Sequence, residues 1–116
     1  MELFTDAVTA GIERALSGVT QRQRVTAHNI ANVSTPGFKA SRVDFESNLA
    51  DAFRTGAPGE AGFTVRAANT PSSVNGNNVS LDEETQIMMK AGLQYEALVQ
   101  ALNYKFGLLR TAVEGR

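Results

Sequence analysis

Few side chains in this sequence are spaced for chemistry. The single histidine, His28, precedes Asn29 and Asn32 on one helical-looking segment. A histidine acting as a base needs a nucleophile within reach and a third group to orient it. The chain has no cysteine, no second histidine and no Gly-x-Ser-x-Gly elbow, so His28 reads as a hydrogen-bonded structural residue. Asp82, Glu83 and Glu84 form an acidic cluster that could attract a hard cation. Adjacent carboxylates at a helix start point in different directions, and Asn75 to Glu84 fails the spacing of a calcium loop. Capping and the positive end of the helix dipole explain the cluster better. No phosphate-cradling glycine pattern occurs. No enzyme activity, catalytic residue, cofactor or metal ligand is expected.

The specific stretch is instead Asn29 to Lys39. Asn29 and Asn32 are one helical turn apart, so both amides can point the same way and bond nearby backbone. Pro36 lacks an N–H and biases Thr35 out of the helical region, which stops the helix. Gly37 suits the positive φ of a type II turn. Phe38 then supplies an aromatic anchor with the charge of Lys39 beside it.

The elements that position this corner follow from periodicity. Apolar residues at Phe4, Val8, Ile12, Leu16 and Val19 keep one face of a helix from residue 3 to about 33, and the stripe turns polar through Gln23, Thr26 and Ile30. A helix of ~30 residues spans ~45 Å. Gly11 and Gly18 weaken it by about 1 kcal/mol each relative to Ala and are read either as tolerated surface positions or as sites of close backbone approach. Gln21 to Arg24 reads as a solvated face, or in an assembly as one that meets acidic residues of a neighbour. Past the corner, Ser41 is expected to cap a short helix over Arg42 to Phe53, although Val43 and Phe45 also alternate as a strand would. Residues 56–79 are linker and turn chemistry, with Phe63 to Arg66 a candidate strand. Asn75-Gly76 is the strongest two-residue turn signal and a candidate hairpin closure. This centre is expected to be mobile unless a neighbour pins it.

Ser80 and Glu83 form a capping box for a second long helix, and no proline follows Leu81. Tyr95, Val99, Leu102, Phe106, Leu109 and Val113 step by alternating fours and threes, the coiled-coil spacing. Ile87, Ala91 and Leu98 make a second stripe, Met88 widens it, and Arg110 and Arg116 place positive charge at the carboxyl end. The expected fold is mainly α: two long antiparallel terminal helices, coiled-coil-like, joined by a short irregular centre with some β structure. The division falls at 1–35, 36–79 and 80–116.

Composition narrows the function classes. In 116 residues only six Phe, two Tyr and no Trp supply bulky core, and the formal net charge is −1. Neither nucleic acid nor an anionic membrane is an expected partner. No cleavable secretory signal and no membrane-spanning run are visible. The second helix is apolar over more surface than one partner helix covers. An isolated chain would either expose that face or leave its termini unfolded until a partner arrives. Both readings ask for other copies, and a head-to-tail, non-closing contact gives a helical tube.

The string Asn29, Asn32, Thr35, Pro36, Gly37, Phe38, Lys39 resembles the N-terminal signature of the bacterial flagellar rod and hook proteins, an axial family built on terminal coiled-coil segments. Asn77 to Glu84, Leu102 to Phe106 and Leu109 to Ala112 are similar to the B-type proximal rod members, the FlgB family. Tyr95-Glu96-Ala97 matches the core of other small rod proteins, with departures at Leu93 and Leu98. The resemblance implies a structural subunit of the proximal rod of the basal body, in the periplasmic space, exported without a cleavable signal peptide by the flagellum's own type III exporter. Such subunits form a hollow, torque-transmitting tube. Implied partners are other copies of the chain, other rod proteins, the rod-base adapter and the export gate. The competing expectation is a small soluble helical adapter or export-chaperone-like protein, or another small rod protein of the same family. An adapter would melt cooperatively from a folded state, whereas a rod subunit would look under-helical alone.

Overall fold

The absence of proline before Pro36 and after Pro71 leaves two long stretches free to be helical, and both are. The computed structural model describes residues 2–115; Arg116 and the Phe4 side chain, both named above, lie outside the described residues. Helix α1 spans Glu2–Ala31 and helix α3 spans Leu81–Val113. They run antiparallel, so the end of α1 at Asn29 meets the start of α3 at Glu84. Between them lie strand β1 (Ser41–Asp44), helix α2 (Glu46–Arg54), a 3₁₀ turn at Pro58–Glu60 and strand β2 (Thr64–Ala67). The molecule measures 65 × 26 × 14 Å. It is mainly helical, with a small two-stranded sheet in the short centre.

The centre differs from the expected layout in three ways. Ser41 does not cap a helix: Ser41 to Asp44 form β1, and the helix starts only at Glu46. The reason is pairing. β1 meets β2 antiparallel, Ser41 opposite Ala67 and Val43 opposite Val65, with Val43 turned inward and buried. Asp44 on β1 accepts from Arg66 on β2 at 2.6 Å. Second, Asn75-Gly76 closes no hairpin; α2 and the 3₁₀ turn connect the paired strands, and Asn75 to Asn78 bond back to the corner instead. Third, the last part of the centre is fixed within the chain, with Asn77 and Asn78 buried.

The core is small, as the scarcity of large residues requires. Ala15, Val19, Val43, Phe45 and Ala91 form it, ringed by Val25, Leu49, Phe63 and Leu98. The buried line of α1 is not the expected Val8–Ile12–Leu16 row, whose members are half-buried. It runs through Gly11, Ala15, Gly18, Val19, Thr26 and Asn29. Small residues win because aromatic rings of the central arm lie on them. A Cβ at Gly18 would come within 2.6 Å of the Phe45 ring, and one at Gly11 within 2.2 Å of Phe53. The glycines are therefore buried seats for side chains, neither surface positions nor backbone crossings.

At the start of α3 Ser80 Oγ accepts from Glu83 N–H, but Glu83 does not reach back to complete the box. Its carboxylate pairs with Arg42 at 2.5 Å instead. No helix among the described residues is long and apolar enough to cross a membrane.

Candidate functional site

At the corner, Thr35 C=O accepts from Phe38 N–H at 3.2 Å and Gly37 takes φ +75°, which makes Thr35 to Phe38 the type II geometry that Pro36-Gly37 specifies. The aromatic anchor packs locally: Phe38 meets His28 edge-on at 5.5 Å between ring centroids. Lys39 Nζ donates to Gly76 O and Ser72 Oγ.

The two asparagines of the signature do different jobs. Asn32 stays on its own helix end, donating to His28 O at 2.9 Å and accepting from Thr35 Oγ1 at 3.0 Å. Asn29 is fully buried and reaches across the fold. Its Nδ2 donates to Ser41 O at 2.9 Å and to Glu84 Oε1 at 2.8 Å, while its Oδ1 accepts from Ser41 N–H. One amide thus ties the end of α1 to the first residue of β1 and to the first turn of α3. The one-turn spacing allows both amides to point the same way, but Asn29 faces the buried line and Asn32 does not.

Glu84 has zero exposure and is balanced by Arg42 Nη1, 2.8 Å from its Oε2. The approach is an ion pair without aligned hydrogen-bond geometry, since Oε2 makes no hydrogen bond. Arg42 serves both Glu83 and Glu84. Burial pulls its pKa down, but the bond to Glu83 and the charge of Glu84 outweigh that and raise it. The acidic cluster at the helix start therefore combines a dipole role with a buried clamp, and neither Arg42 nor Glu84 as its centre was foreseen from the sequence.

Asn77 and Asn78 complete the corner from the other side. Asn77 Nδ2 donates to Asn32 O at 2.9 Å and Thr35 O at 2.8 Å, and its Oδ1 accepts from Val79 N–H at 2.8 Å. Both carbonyls lie just past the end of α1 and each also accepts a backbone N–H, Asn32 O from Thr35 and Thr35 O from Phe38. Asn78 Oδ1 accepts from Ala40 N–H at 2.6 Å, and Asn78 N–H donates to Phe38 O. Gly37 N–H donates to Asn75 O at 2.9 Å. The signal for this was two consecutive amides just before a helix cap, residues that serve backbone groups well and prefer loops.

A second clamp holds the arm. Arg22, expected on a solvated face, donates to Val43 O, makes a bidentate pair with Glu46 at 2.7 and 2.8 Å, and lies 4.8 Å over the Phe45 ring. The bond from Arg22 holds the Glu46 carboxyl at about 2, well below the usual carboxylate range, against opposing desolvation. The same pair raises Arg22.

The row Tyr95, Val99, Leu102, Phe106, Leu109, Val113 continues the line of Glu84 and Ala91 along α3. It is incompletely covered: Val99 and Leu102 are half-buried, Tyr95, Phe106 and Leu109 are 42–50% exposed, and Val113 is 85% exposed. Met89, Leu93, Tyr104 and Leu108 form a further exposed row, which helical spacing puts on the other side of α3. That row was missed from the sequence because its members are separated by Ala97 and Gln100. One antiparallel partner cannot cover both sides.

Residues 13–39, from mid-α1 through the corner, match the family model for the flagella basal body rod protein. The chain is 33% identical to the flagellar basal body rod protein FlgB of Bacillus subtilis (strain 168), over 99% of this chain and 98% of that protein. It is 31% identical to the FlgB of Escherichia coli (strain K12), over 84% and 86%, and 29% identical to that of Aeromonas hydrophila, over 87% and 88%. The family match over the corner and these relatives make the chain a flagellar basal body rod protein, a structural subunit. Within that class, the chain belongs to the FlgB family.

Proposed function

We propose that this rod subunit works by polymerising in the proximal part of the rod, in the periplasmic space, into a hollow tube that transmits torque. The observation that carries this reading is the apolar surface on two sides of α3, with Leu93 and Tyr104 each 69% exposed on one and Val113 85% exposed on the other. Exposed apolar surface of this kind marks an interaction face. In this reading residues 1–35 and 80–116 form the inner helical layer and residues 36–79 the connecting outer segment. Asn29, Asn32 and the Thr35–Lys39 corner fix where the inner helix ends, which the hydrogen bonds to Ser41 and Asn77 support. Tyr95, Val99, Leu102, Phe106, Leu109 and Val113 pack within and between subunits. The neighbours are other copies, other rod proteins, the rod-base adapter and the export gate. The chain leaves the cytoplasm through the flagellar export route without cleavage, and does no catalysis.

Deletion of the gene in its host, followed by electron microscopy of isolated envelopes, tests the reading. Loss of rod, hook and filament with the membrane ring retained is expected. Restoration by the wild-type chain, but not by a Phe106→Asp, Leu109→Asp double variant, ties the defect to α3. Intact basal bodies in the deletion strain would overturn the proposal.

A further inference from the structure

We infer that Asn75-Gly76 is a latent deamidation site that the folded corner holds closed. Asparagine followed by glycine is chemically the most exposed case of a thermolabile residue type, because no Cβ shields the following amide. Gly76 N attacks Asn75 Cγ, a C–N bond forms, the Cγ–Nδ2 bond breaks, and ammonia departs with the Gly76 proton. Water then opens the five-membered imide. Cleavage on the side-chain carbonyl gives aspartate, and cleavage on the main-chain carbonyl gives isoaspartate, which adds one methylene to the backbone.

The fold restrains both reacting groups. Gly76 N–H donates to Ser73 O at 2.9 Å, and Asn75 Oδ1 accepts from Ser73 Oγ at 2.6 Å and from Asn77 N–H at 3.1 Å. Donors on Oδ1 make Cγ more electrophilic, but they also stop the side chain from rotating toward Gly76 N. The surrounding backbone is pinned as well: Asn75 O accepts from Gly37 N–H, and Gly76 O accepts from Lys39 Nζ. Attack requires this cluster to open.

Glycine is favoured at 76 because the residue takes φ +84°, a conformation strained for a residue with a side chain. The residues that build the turn are thus the ones that endanger it when it opens. An isoaspartate at 75 would move Asn77 and Asn78 out of register with Asn32, Thr35 and Ala40, so the chemistry records time spent with the corner undone.

The test incubates the full-length chain at mildly alkaline pH, with and without concentrated urea, following circular dichroism alongside. Peptide mass spectrometry reads amide-to-acid conversion at Asn75, and an isoaspartate methylation assay reads the rearranged product. Conversion is expected to be at least about tenfold slower without urea, because a site that reacts only when locally open is slowed by the opening equilibrium. Lys39→Ala, which removes the tether on Gly76 O, is expected to raise the rate without urea and leave the rate in urea unchanged. Equal wild-type rates in the two media, or no acceleration in Lys39→Ala, would overturn the inference.

Discussion

Asn29 and Glu84, both fully buried, share a 2.8 Å hydrogen bond that joins the end of the first helix to the start of the last. Neither side chain would be stable there alone. The carboxylate needs Arg42, and the amide needs Ser41 on β1. Glu84→Ala removes the buried one of Arg42's two carboxylates and the side-chain acceptor of Asn29, leaving Glu83 and Ser41 as their remaining partners. The loss should therefore stay at or below the roughly 3 kcal/mol of a fully broken buried pair. Glu84→Gln keeps an acceptor for Asn29 and is expected to cost less. Urea unfolding of the two variants checks the order.

Gly18→Ala and Gly11→Ala separate two terms that usually travel together. Each gains about 1 kcal/mol of helix propensity. At Gly18 the new methyl collides with Phe45, which is 4% exposed and cannot move aside. Overpacking of about 1–3 kcal/mol should outweigh the gain, and Phe45→Leu should partly rescue it. At Gly11 the ring is Phe53, 43% exposed and free to swing, so Gly11→Ala is expected to be near neutral. Thermal melting distinguishes them.

Glu46 makes stability depend on acid. Its carboxyl is lowered to about 2 in the folded chain by Arg22, so folding favours the ionised form. That contribution is complete above the ordinary carboxylate range and is lost as pH falls from about 5 toward about 2. The side chain is 55% exposed, which limits the effect to below about 1 kcal/mol. Denaturant midpoints measured across this window should fall less steeply in Glu46→Gln.

Gly37 separates backbone strain from packing, because nothing lies within 4 Å of where its Cβ would be. Gly37→Val, β-branched and averse to φ near +75°, is expected to abolish rod assembly and motility while secretion persists. Gly37→Asn tolerates the left-handed region and should retain much of the motility. Normal swimming in the valine variant would sink the role of the corner.

Local rules made the helices and the corner legible: the missing prolines, the Ser80 cap and Pro36-Gly37 each act within a few residues. The arm was harder because its decisive partners are distant. Val43 is in a strand because Val65 lies opposite, and Arg22 is held by Glu46 and Val43, all remote in sequence. Glu84 looked like one of three interchangeable acids, and only the depth at which Asn29 and Arg42 meet it sets it apart. Asn77 and Asn78 looked like loop polarity because most of the backbone groups they serve, on Asn32, Thr35, Phe38 and Ala40, lie far earlier in the sequence.

The rings of Phe45 and Phe53 rest on glycines two helical turns apart, on a face that drifts only ~20° over that interval. Turning α1 about its axis by the angle of one residue, ~100°, would slide both seats out from under both rings together. The arm thus works as an index pin. It registers the angular phase of the long helix, and any twist imposed on that helix from outside must either stop at the pin or carry the small sheet around with it.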